Sequence, residues 1–182
     1  MTNKEKYISI LSKVPNTERL IEWLCTTDFF TAPASTKYHN SFEGGLVAHS
    51  LEVYTELTTS KNAKMFSSES LIKVALLHDI CKANFYTVDY KNTKINGQWE
   101  RVPFYAVKDD FPYGHGEKSV LLASRFIDLT DEETIAIRWH MGAFDEAVKG
   151  GFNLSQVYEK YPLALELHIA DLRATYLVEK RQ

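Results

Sequence analysis

The histidines of this chain are concentrated in surroundings that suit metal ligands. Six occur in 182 residues, and four of them stand in apolar or glycine-rich segments: His49, His78, His115 and His140. Two aspartates have similar surroundings, Asp79 directly after His78 and Asp171 after Ile-Ala. Imidazole nitrogens and carboxylate oxygens are common ligands of divalent transition metals. These six residues are therefore candidate ligands of a metal centre.

Asp79 gives the strongest reason to expect a cation. It belongs to a stretch, residues 69–80, that is apolar on nearly every side, as in a central buried helix. A buried ionised carboxylate without a partner is costly, and no Lys or Arg lies in the preceding turn. A divalent metal would supply the charge, and imidazoles with carboxylates suit Zn, Mn, Fe, Ni or Co. Because the set contains no thiolate, a soft structural zinc site is disfavoured.

Each candidate also has an explanation that needs no metal. A histidine in an apolar stripe is often a hydrogen-bonded core residue, and His78 with Asp79 could cap the end of a helix. Asp171 lies three residues after His168, so the two could form a local pair on one helix. The joint occurrence of six such residues on five separate elements favours the metal centre.

The periodicity of apolar residues predicts a mainly helical chain. After two glycines at 44–45, one helical face carries His49 within an apolar stripe. A capping box that begins at Thr130 predicts a helix running to His140. Pro162 opens the last helix. We expect the apolar stripe of that helix to contain Leu165, Ile169, Leu172 and Tyr176.

Residues 86–107 have a different pattern. Tyr86, Val88 and Tyr90 alternate with polar residues, and Asn96-Gly97 is a turn dipeptide, so a β-hairpin is predicted. The segment 91–95 separates the clear alternation from the turn dipeptide. We therefore expect a connecting loop longer than two residues.

The composition is that of an ordinary single-domain protein. The chain has 21 Lys and Arg against 24 Asp and Glu, a net charge of −3, and 45% hydrophobic residues. This length favours one domain over residues 1–182, and the low charge argues against a protein that grips long nucleic acid. Cys25 and Cys81 form no C-x-x-C pair, so we expect a reducing, cytoplasmic location without disulfides. No signal-peptide pattern or membrane-spanning apolar run occurs.

The order of the candidate ligands resembles a known signature. His49, then His78-Asp79, then Asp171 is similar to the H…HD…D pattern of the HD-domain superfamily of metal-dependent phosphohydrolases. His115 and His140 match the two intermediate histidines of its binuclear members. The segments GGLVAHSLEV, LLHDICK and IAD also resemble the family's motifs, which here span residues 44–171. One departure is Cys81, which stands where the family often has glycine, and we expect a small buried side chain there.

The resemblance implies a fold, a cofactor and a mechanism. The fold would be a mainly α HD-domain helical bundle with a small β-hairpin insertion at about residues 86–107. One divalent metal (Mn, Fe, Ni, Co, Zn or Mg) would be held by His49, His78, Asp79 and Asp171. Asp79 would bridge to a second metal held by His115 and His140. Two such metals roughly 3.5 to 4 Å apart clamp a phosphate and activate a water, so no protein nucleophile is required.

Further residues are candidates for substrate contacts. Lys82, on the turn after Asp79, is expected to contact a substrate phosphate and to act in catalysis with Asp79. Aromatic side chains between the hairpin and His115 could stack a nucleobase or could form the hairpin's own small core. The basic side chains on helices could instead be solvated. The substrate-binding candidates are Lys82, Lys118, Arg138, Trp99, Arg101, Tyr113 and His39.

The sequence thus predicts a hydrolase of a small phosphorylated substrate, above all a nucleotide. A metal-activated water would cleave a phosphomonoester, a phosphodiester or an anhydride. One alternative is a 3′-end nuclease or phosphodiesterase on short nucleic acid, and others are a di-iron HD oxygenase and an inert nucleotide sensor. We expect no membrane or long nucleic acid as a partner. The sequence leaves open whether the protein forms a homo-oligomer.

Overall fold

A computed structural model describes residues 1–179, which form a mainly helical protein with a two-stranded antiparallel hairpin. The α-helices are α1 Asn3–Leu11, α2 Glu18–Thr26, α3 Gly45–Thr59, α4 Ser68–Leu77, α5 His115–Ala123, α6 Asp131–Trp139, α7 Glu146–Lys149, α8 Leu154–Lys160 and α9 Pro162–Arg173. The strands are β1 Tyr86–Ile95 and β2 Gln98–Val107. Short 3-10 turns occur at Ala63–Met65, Ile80–Lys82 and Gly142–Phe144, and a π-helical turn, Ala174–Val178, follows α9. The prediction of a mainly α fold with a small hairpin is confirmed.

The core is built around α3 and α4. Every residue of α4 from Leu71 to Leu77 is buried, and α3 packs against both α4 and α9. The Tyr7 hydroxyl of α1 donates a buried hydrogen bond of 2.7 Å to the Leu76 carbonyl. This bond satisfies a carbonyl at the end of α4 that could otherwise lack a partner. It therefore ties α1 to the end of α4, directly before the C-cap residue His78.

A contiguous hydrophobic cluster extends from Tyr7 in α1 to Ala174 after α9. The prediction of one domain over 1–182 stays a prediction, and residues 180–182 lie outside the described residues. Among residues 1–179, no helix combines the length and hydropathy needed to cross a bilayer. The cytoplasmic location stays a prediction as well.

The helix ends position the candidate ligands. The capping box is present: the Thr130 hydroxyl accepts from the Glu133 backbone, and the Glu133 carboxylate accepts from the Thr130 backbone. The helix that it starts ends at Trp139, one residue earlier than predicted, with His140 as its C-cap. The buried helix before Asp79 likewise ends at Leu77, and Asp79 is the N-cap of the 3-10 turn that follows.

The predicted apolar stripe of α9 is wrong. The helix buries Leu163, Ala164, Leu167 and Ala170, whereas Ile169 and Tyr176 are exposed. Small alanines allow α9 to approach α3 and α6 closely, so the alanine-rich face packs against the core. The predicted stripe lies on another side of the helix, and its members Leu172 and Tyr176 line a cavity.

The hairpin is present over residues 86–107, but the expectation of a long connecting loop is wrong. The strands pair without interruption from Tyr86 opposite Val107 to Ile95 opposite Gln98. Asn96 and Gly97 alone form the turn, both with positive φ (50° and 87°), as a tight hairpin turn requires. Residues 91–95 lack clear alternation because neither of their faces is fully buried, so burial does not select apolar residues there.

Candidate metal centre

The structure brings the six candidate ligands together in one cluster, in which His49, His78, Asp79 and His140 are buried and His115 and Asp171 are partly exposed. They come from α3 (His49), the end of α4 (His78 and Asp79), the start of α5 (His115), the end of α6 (His140) and α9 (Asp171). Asp79 lies at the centre. Its Oδ2 atom is 3.6 Å from the Nε2 atoms of both His49 and His78. Its Oδ1 atom is 2.8 Å from His115 Nε2 and 3.6 Å from His140 Nε2.

The cluster has two halves on opposite oxygens of the Asp79 carboxylate. We call His49, His78 and Asp171 the deep half: the two histidines lie on the Oδ2 side and are almost fully buried, and Asp171 contacts His49. His49 Nε2 is 3.2 Å from His78 Nε2 and 3.3 Å from Asp171 Oδ1. We call His115 and His140 the outer half, because they lie on the Oδ1 side. The two halves correspond to the two ligand sets that the resemblance implied.

Hydrogen bonds to helix carbonyls determine which nitrogen of two histidines is protonated. His78 Nδ1 lies 2.8 Å from the Ala75 carbonyl, and His140 Nδ1 lies 2.7 Å from the Ile137 carbonyl. A carbonyl can only accept, so the Nδ1 atom of each ring must donate. In the neutral ring, Nε2 then carries a lone pair, which faces Asp79. This is the arrangement in which histidines bind metals.

His49 is oriented by Glu179, a residue that the sequence analysis missed. Glu179 Oε1 lies 2.7 Å from His49 Nδ1, and the Glu179 side chain is buried. The π-helical turn after α9 brings Glu179 back to the cluster, and the Glu179 backbone donates to the Ala174 carbonyl at 2.9 Å. No motif surrounds Glu179 in the sequence, so nothing there indicated its role.

The donor set fits a divalent cation. Among residues 1–179, Asp79 Oδ1 and His140 Nε2 are buried without a hydrogen-bond partner, although Asp79 Oδ1 is in ionic contact with His115. Buried lone pairs of this kind are normally satisfied. Three sets of donor atoms lie within 4.8 Å of one another and could hold a metal ion: His39 with His49 and Glu179, His49 with His78 and Asp79, and Asp79 with Cys81 and His115.

The ionisation of the cluster also shows its need for positive charge. Burial alone would raise the pKa of Asp79, but the Lys82 ammonium, 2.6 Å from its Oδ2 atom, holds it well below its usual value. Burial lowers the pKa of His78 to about 3. Burial opposes protonation of His49 too, but hydrogen bonds to Asp171 and Glu179 raise its pKa to about 10. A proton on His49 thus supplies charge near neutral pH that a metal would otherwise supply.

Two neighbours of Asp79 complete the surroundings. Lys82 Nζ lies 2.6 Å from Asp79 Oδ2, and this contact raises the pKa of Lys82 against the effect of burial. Cys81 is buried, as expected, but its Sγ atom lies 3.2 Å from His115 Nδ1. Burial opposes protonation of His115, yet Cys81 and Asp79 together raise its pKa to about 10. Cys81 therefore influences a candidate ligand directly, a role that the sequence did not indicate.

A cavity of about 720 Å³ opens onto the cluster. His49, Asp79, Lys82, His115 and Asp171 lie at its polar end. Apolar and aromatic side chains form much of the remaining wall: Tyr38, Met141, Phe144, Leu172 and Tyr176. The cavity thus combines a charged end with a hydrophobic wall, as ligand sites commonly do.

Of the predicted substrate-binding residues, His39 and Lys82 line this cavity. The His39 ring lies 5.0 Å from the His49 ring, and burial lowers the pKa of His39 to about 4. His39 Nε2 is buried without a hydrogen-bond partner among residues 1–179. Neutral His39 can therefore offer a hydrogen bond to a molecule in the cavity.

The other predicted substrate-binding residues do not line the cavity. Lys118 Nζ lies 2.6 Å from Asp109 Oδ1, and Arg138 pairs with Glu117 and Asp145. Both cations are mostly buried, so they are neither free for a phosphate at the metal cluster nor on a solvated helix face. Trp99 and Arg101 lie on the hairpin, and Tyr113 stacks on Phe111 beyond it. Local sequence could not reveal these carboxylate partners.

Comparisons of the chain with protein-family models, with curated proteins and with solved structures find no match.

Proposed function

We propose that the chain is a metal-dependent phosphohydrolase of the HD-domain type that acts on a small phosphorylated substrate, above all a nucleotide. One observation carries the proposal. Lone pairs on His78 and His140 face a single buried carboxylate, Asp79, whose two oxygens face two separate sets of ligands. This arrangement suits a pair of cations bridged by one carboxylate better than it suits a structural hydrogen-bond network.

When bound there, two divalent cations would polarise the phosphate oxygens and lower the pKa of a water toward neutrality. The chain's own residues would hold the cations, orient the ligands and attract the phosphate. Asp79 would hold both cations in register, and the histidine Nδ1 bonds would keep the Nε2 atoms directed at them. The Lys82 ammonium stays charged beside Asp79 and borders the cavity, so it is placed to attract a phosphate oxygen.

The cavity supports a substrate that carries an aromatic or apolar group as well as a phosphate. Its volume of about 720 Å³ is within the usual range for small-molecule sites. Tyr38 and Phe144 provide ring surface on which a nucleobase could stack, and His39 provides an unused polar nitrogen. A nucleotide has both the anionic and the aromatic parts that these walls would contact.

We test the proposal by replacing the bridging carboxylate. Asp79→Ala is expected to abolish metal binding, measured by titration calorimetry, and hydrolysis together, while the circular dichroism of a helical protein remains. Asp110→Ala is the matched control because Asp110 is an exposed aspartate outside the cluster. The substrates are nucleoside mono- and triphosphates, cyclic nucleotides and short single strands, each with Mn, Co or Ni. A fully active Asp79→Ala protein contradicts the proposal.

The same samples separate the alternatives. Oxygen uptake by the iron-loaded protein without phosphate release would favour the di-iron oxygenase. Tight nucleotide binding without turnover under any metal would favour the inert sensor.

Replacing Lys82 tests the role proposed for its ammonium. Lys82→Ala is expected to raise KM or lower kcat by about tenfold, because one charge-assisted contact to a phosphate is lost. Both metals should remain bound, since no metal ligand is removed. Loss of metal from this variant would show that Lys82 supports the cluster instead of contacting the substrate.

A further inference from the structure

We propose that one face of the hairpin binds single-stranded nucleic acid. Residues directly opposite each other in an antiparallel pair share a face, and the register pairs Val88 with Tyr105 and Lys94 with Trp99. Alternation places Tyr90 and Arg101 on the same side. We call this side the aromatic face. The inference goes beyond the proposed hydrolysis and does not depend on it.

The aromatic face is largely open to solvent. Trp99 is 73% exposed, Val88 54% and Tyr90 50%. These side chains therefore do not form a small core of the hairpin. Several exposed large apolar side chains on one face of a hairpin are a common mark of an interaction site. An isolated two-stranded hairpin is also marginally stable by itself, so a bound partner would add support.

The charges of the hairpin favour an anionic partner. Within residues 86–107, all of which the structure describes, the charged side chains on the aromatic face are Lys94 and Arg101. The two acidic residues of the strands, Asp89 and Glu100, lie on the opposite face. The Arg101 guanidinium lies over the Tyr90 ring, 4.7 Å from its centroid. A face with aromatic rings and cations but no carboxylates suits a single strand, because the bases can stack on the rings and the phosphates can pair with the cations.

A second copy of the chain fits this face less well. In a two-fold dimer the same surface meets itself. Lys94 and Arg101 of each copy would then approach those of the other with no carboxylate on either face to neutralise them. A single strand supplies phosphates that can pair with these cations and bases that can stack on the exposed rings.

The hairpin also lies beside the metal cluster in the chain. It is inserted between the turn that carries Lys82 and the helix that begins with His115. Tyr86, the first residue of the aromatic face, donates a hydrogen bond of 3.2 Å from its hydroxyl to the Ala34 carbonyl. The base of the face is thus anchored to the body of the protein, whereas its tip at Trp99 extends into solvent.

The test measures binding of fluorescein-labelled oligothymidylate and oligouridylate, each of about ten nucleotides, by fluorescence anisotropy. The 182-residue chain is kept in EDTA so that no strand is cleaved. We expect Trp99→Ala and Arg101→Ala each to raise Kd about tenfold, and the wild-type affinity to fall as salt rises. Ile95→Ala and Lys91→Ala are the matched controls, because they remove an apolar group and a cation from the opposite face. They should leave Kd within about twofold.

Three outcomes would overturn the inference. The wild-type protein could fail to bind either strand at low salt. The controls could weaken binding as much as the aromatic-face variants, which would indicate attraction without a defined face. A dimer detected by light scattering and dissolved by Trp99→Ala would show that the face binds a second copy. Circular dichroism of each variant establishes that the helices are intact.

Discussion

The two halves of the candidate metal centre differ in how firmly the protein holds their side chains. In the deep half, His49 and His78 are at most 1% exposed, and an oxygen atom fixes the Nδ1 atom of each. In the outer half, His140 is held equally well, but the His115 side chain is 31% exposed and its Nδ1 faces the Cys81 sulfur. Sulfur is a weak hydrogen-bond acceptor, so the orientation of His115 is less strongly fixed.

This difference predicts that the two halves bind their cations with different affinities. Ligands that are already oriented lose less freedom on binding, so the deep half should bind its cation more tightly. Ligands of both halves border the cavity, but His115 of the outer half is the more exposed and the less strongly oriented of its histidines. We therefore expect a tightly bound cation on the Oδ2 side of Asp79 and an exchangeable cation on the Oδ1 side.

Removing one ligand from each half gives the largest expected effect. His78→Ala should weaken the tighter binding event about a hundredfold or more, because it removes a preoriented ligand. His115→Ala should leave the tighter event and abolish the weaker one. Titration calorimetry with Mn or Ni would resolve both events. If His115→Ala removed the tighter binding event, the outer half would be the site of higher metal affinity, which contradicts the assignment made here.

Glu179 should contribute a smaller effect, confined to the deep half. Glu179→Ala removes the carboxylate that orients His49, and loss of such a partner lowers metal affinity about 10- to 100-fold. Glu179→Gln keeps an acceptor oxygen and should recover part of that loss. Equal affinities of wild type and Glu179→Ala would mean that His49 needs no orienting partner. The exposed Glu146→Ala is a control for loss of a carboxylate outside the cluster.

The smallest effect concerns stability as a function of pH. The pKa of His49 and of His115 is raised from 6.5 to about 10 in the metal-free protein. A raised folded-state pKa stabilises the protein below pH 6.5, and this stabilisation is lost as pH rises toward 10. The Tm of the metal-free protein should therefore fall by a few degrees between pH 7 and pH 9.

Metal should reverse this trend, because metal must displace the protons from both histidines and binds more tightly as pH rises. Thermal unfolding scans with EDTA and with Mn across this range would show the two slopes. Glu179→Gln should flatten the slope in EDTA, since Glu179 helps to raise the pKa of His49. A metal-free Tm that rises across the range would contradict the assigned protonation.

The local parts of this architecture could be predicted from the sequence because local rules determine them. The capping box at Thr130 and the turn residues Asn96 and Gly97 are short-range signals, and the structure contains both features. The cluster was predictable as a set because polar residues within apolar helices need a shared explanation. The face of α9 was not predictable, since that helix carries two apolar stripes and only packing selects one.

The missed contributions to the site depend on contacts between distant residues. Glu179 reaches His49 across 130 positions of sequence, after a π-helical turn that has no sequence signature here. Lys118 and Arg138 looked available for substrate because the sequence does not show how Asp109 and Asp145 in loops, and Glu117 on a neighbouring helix, approach them. Exposure of the hairpin's rings likewise depends on what the rest of the fold leaves uncovered.

The central claim is that two cations share the Asp79 carboxylate. Anomalous diffraction at the Mn edge, from crystals grown with Mn²⁺, tests it most directly. We predict two anomalous peaks on opposite sides of Asp79. The peak with the higher occupancy should lie among His49, His78 and Asp171, and the weaker peak beside His115 and His140. No peak within coordination distance of Asp79 would contradict the account.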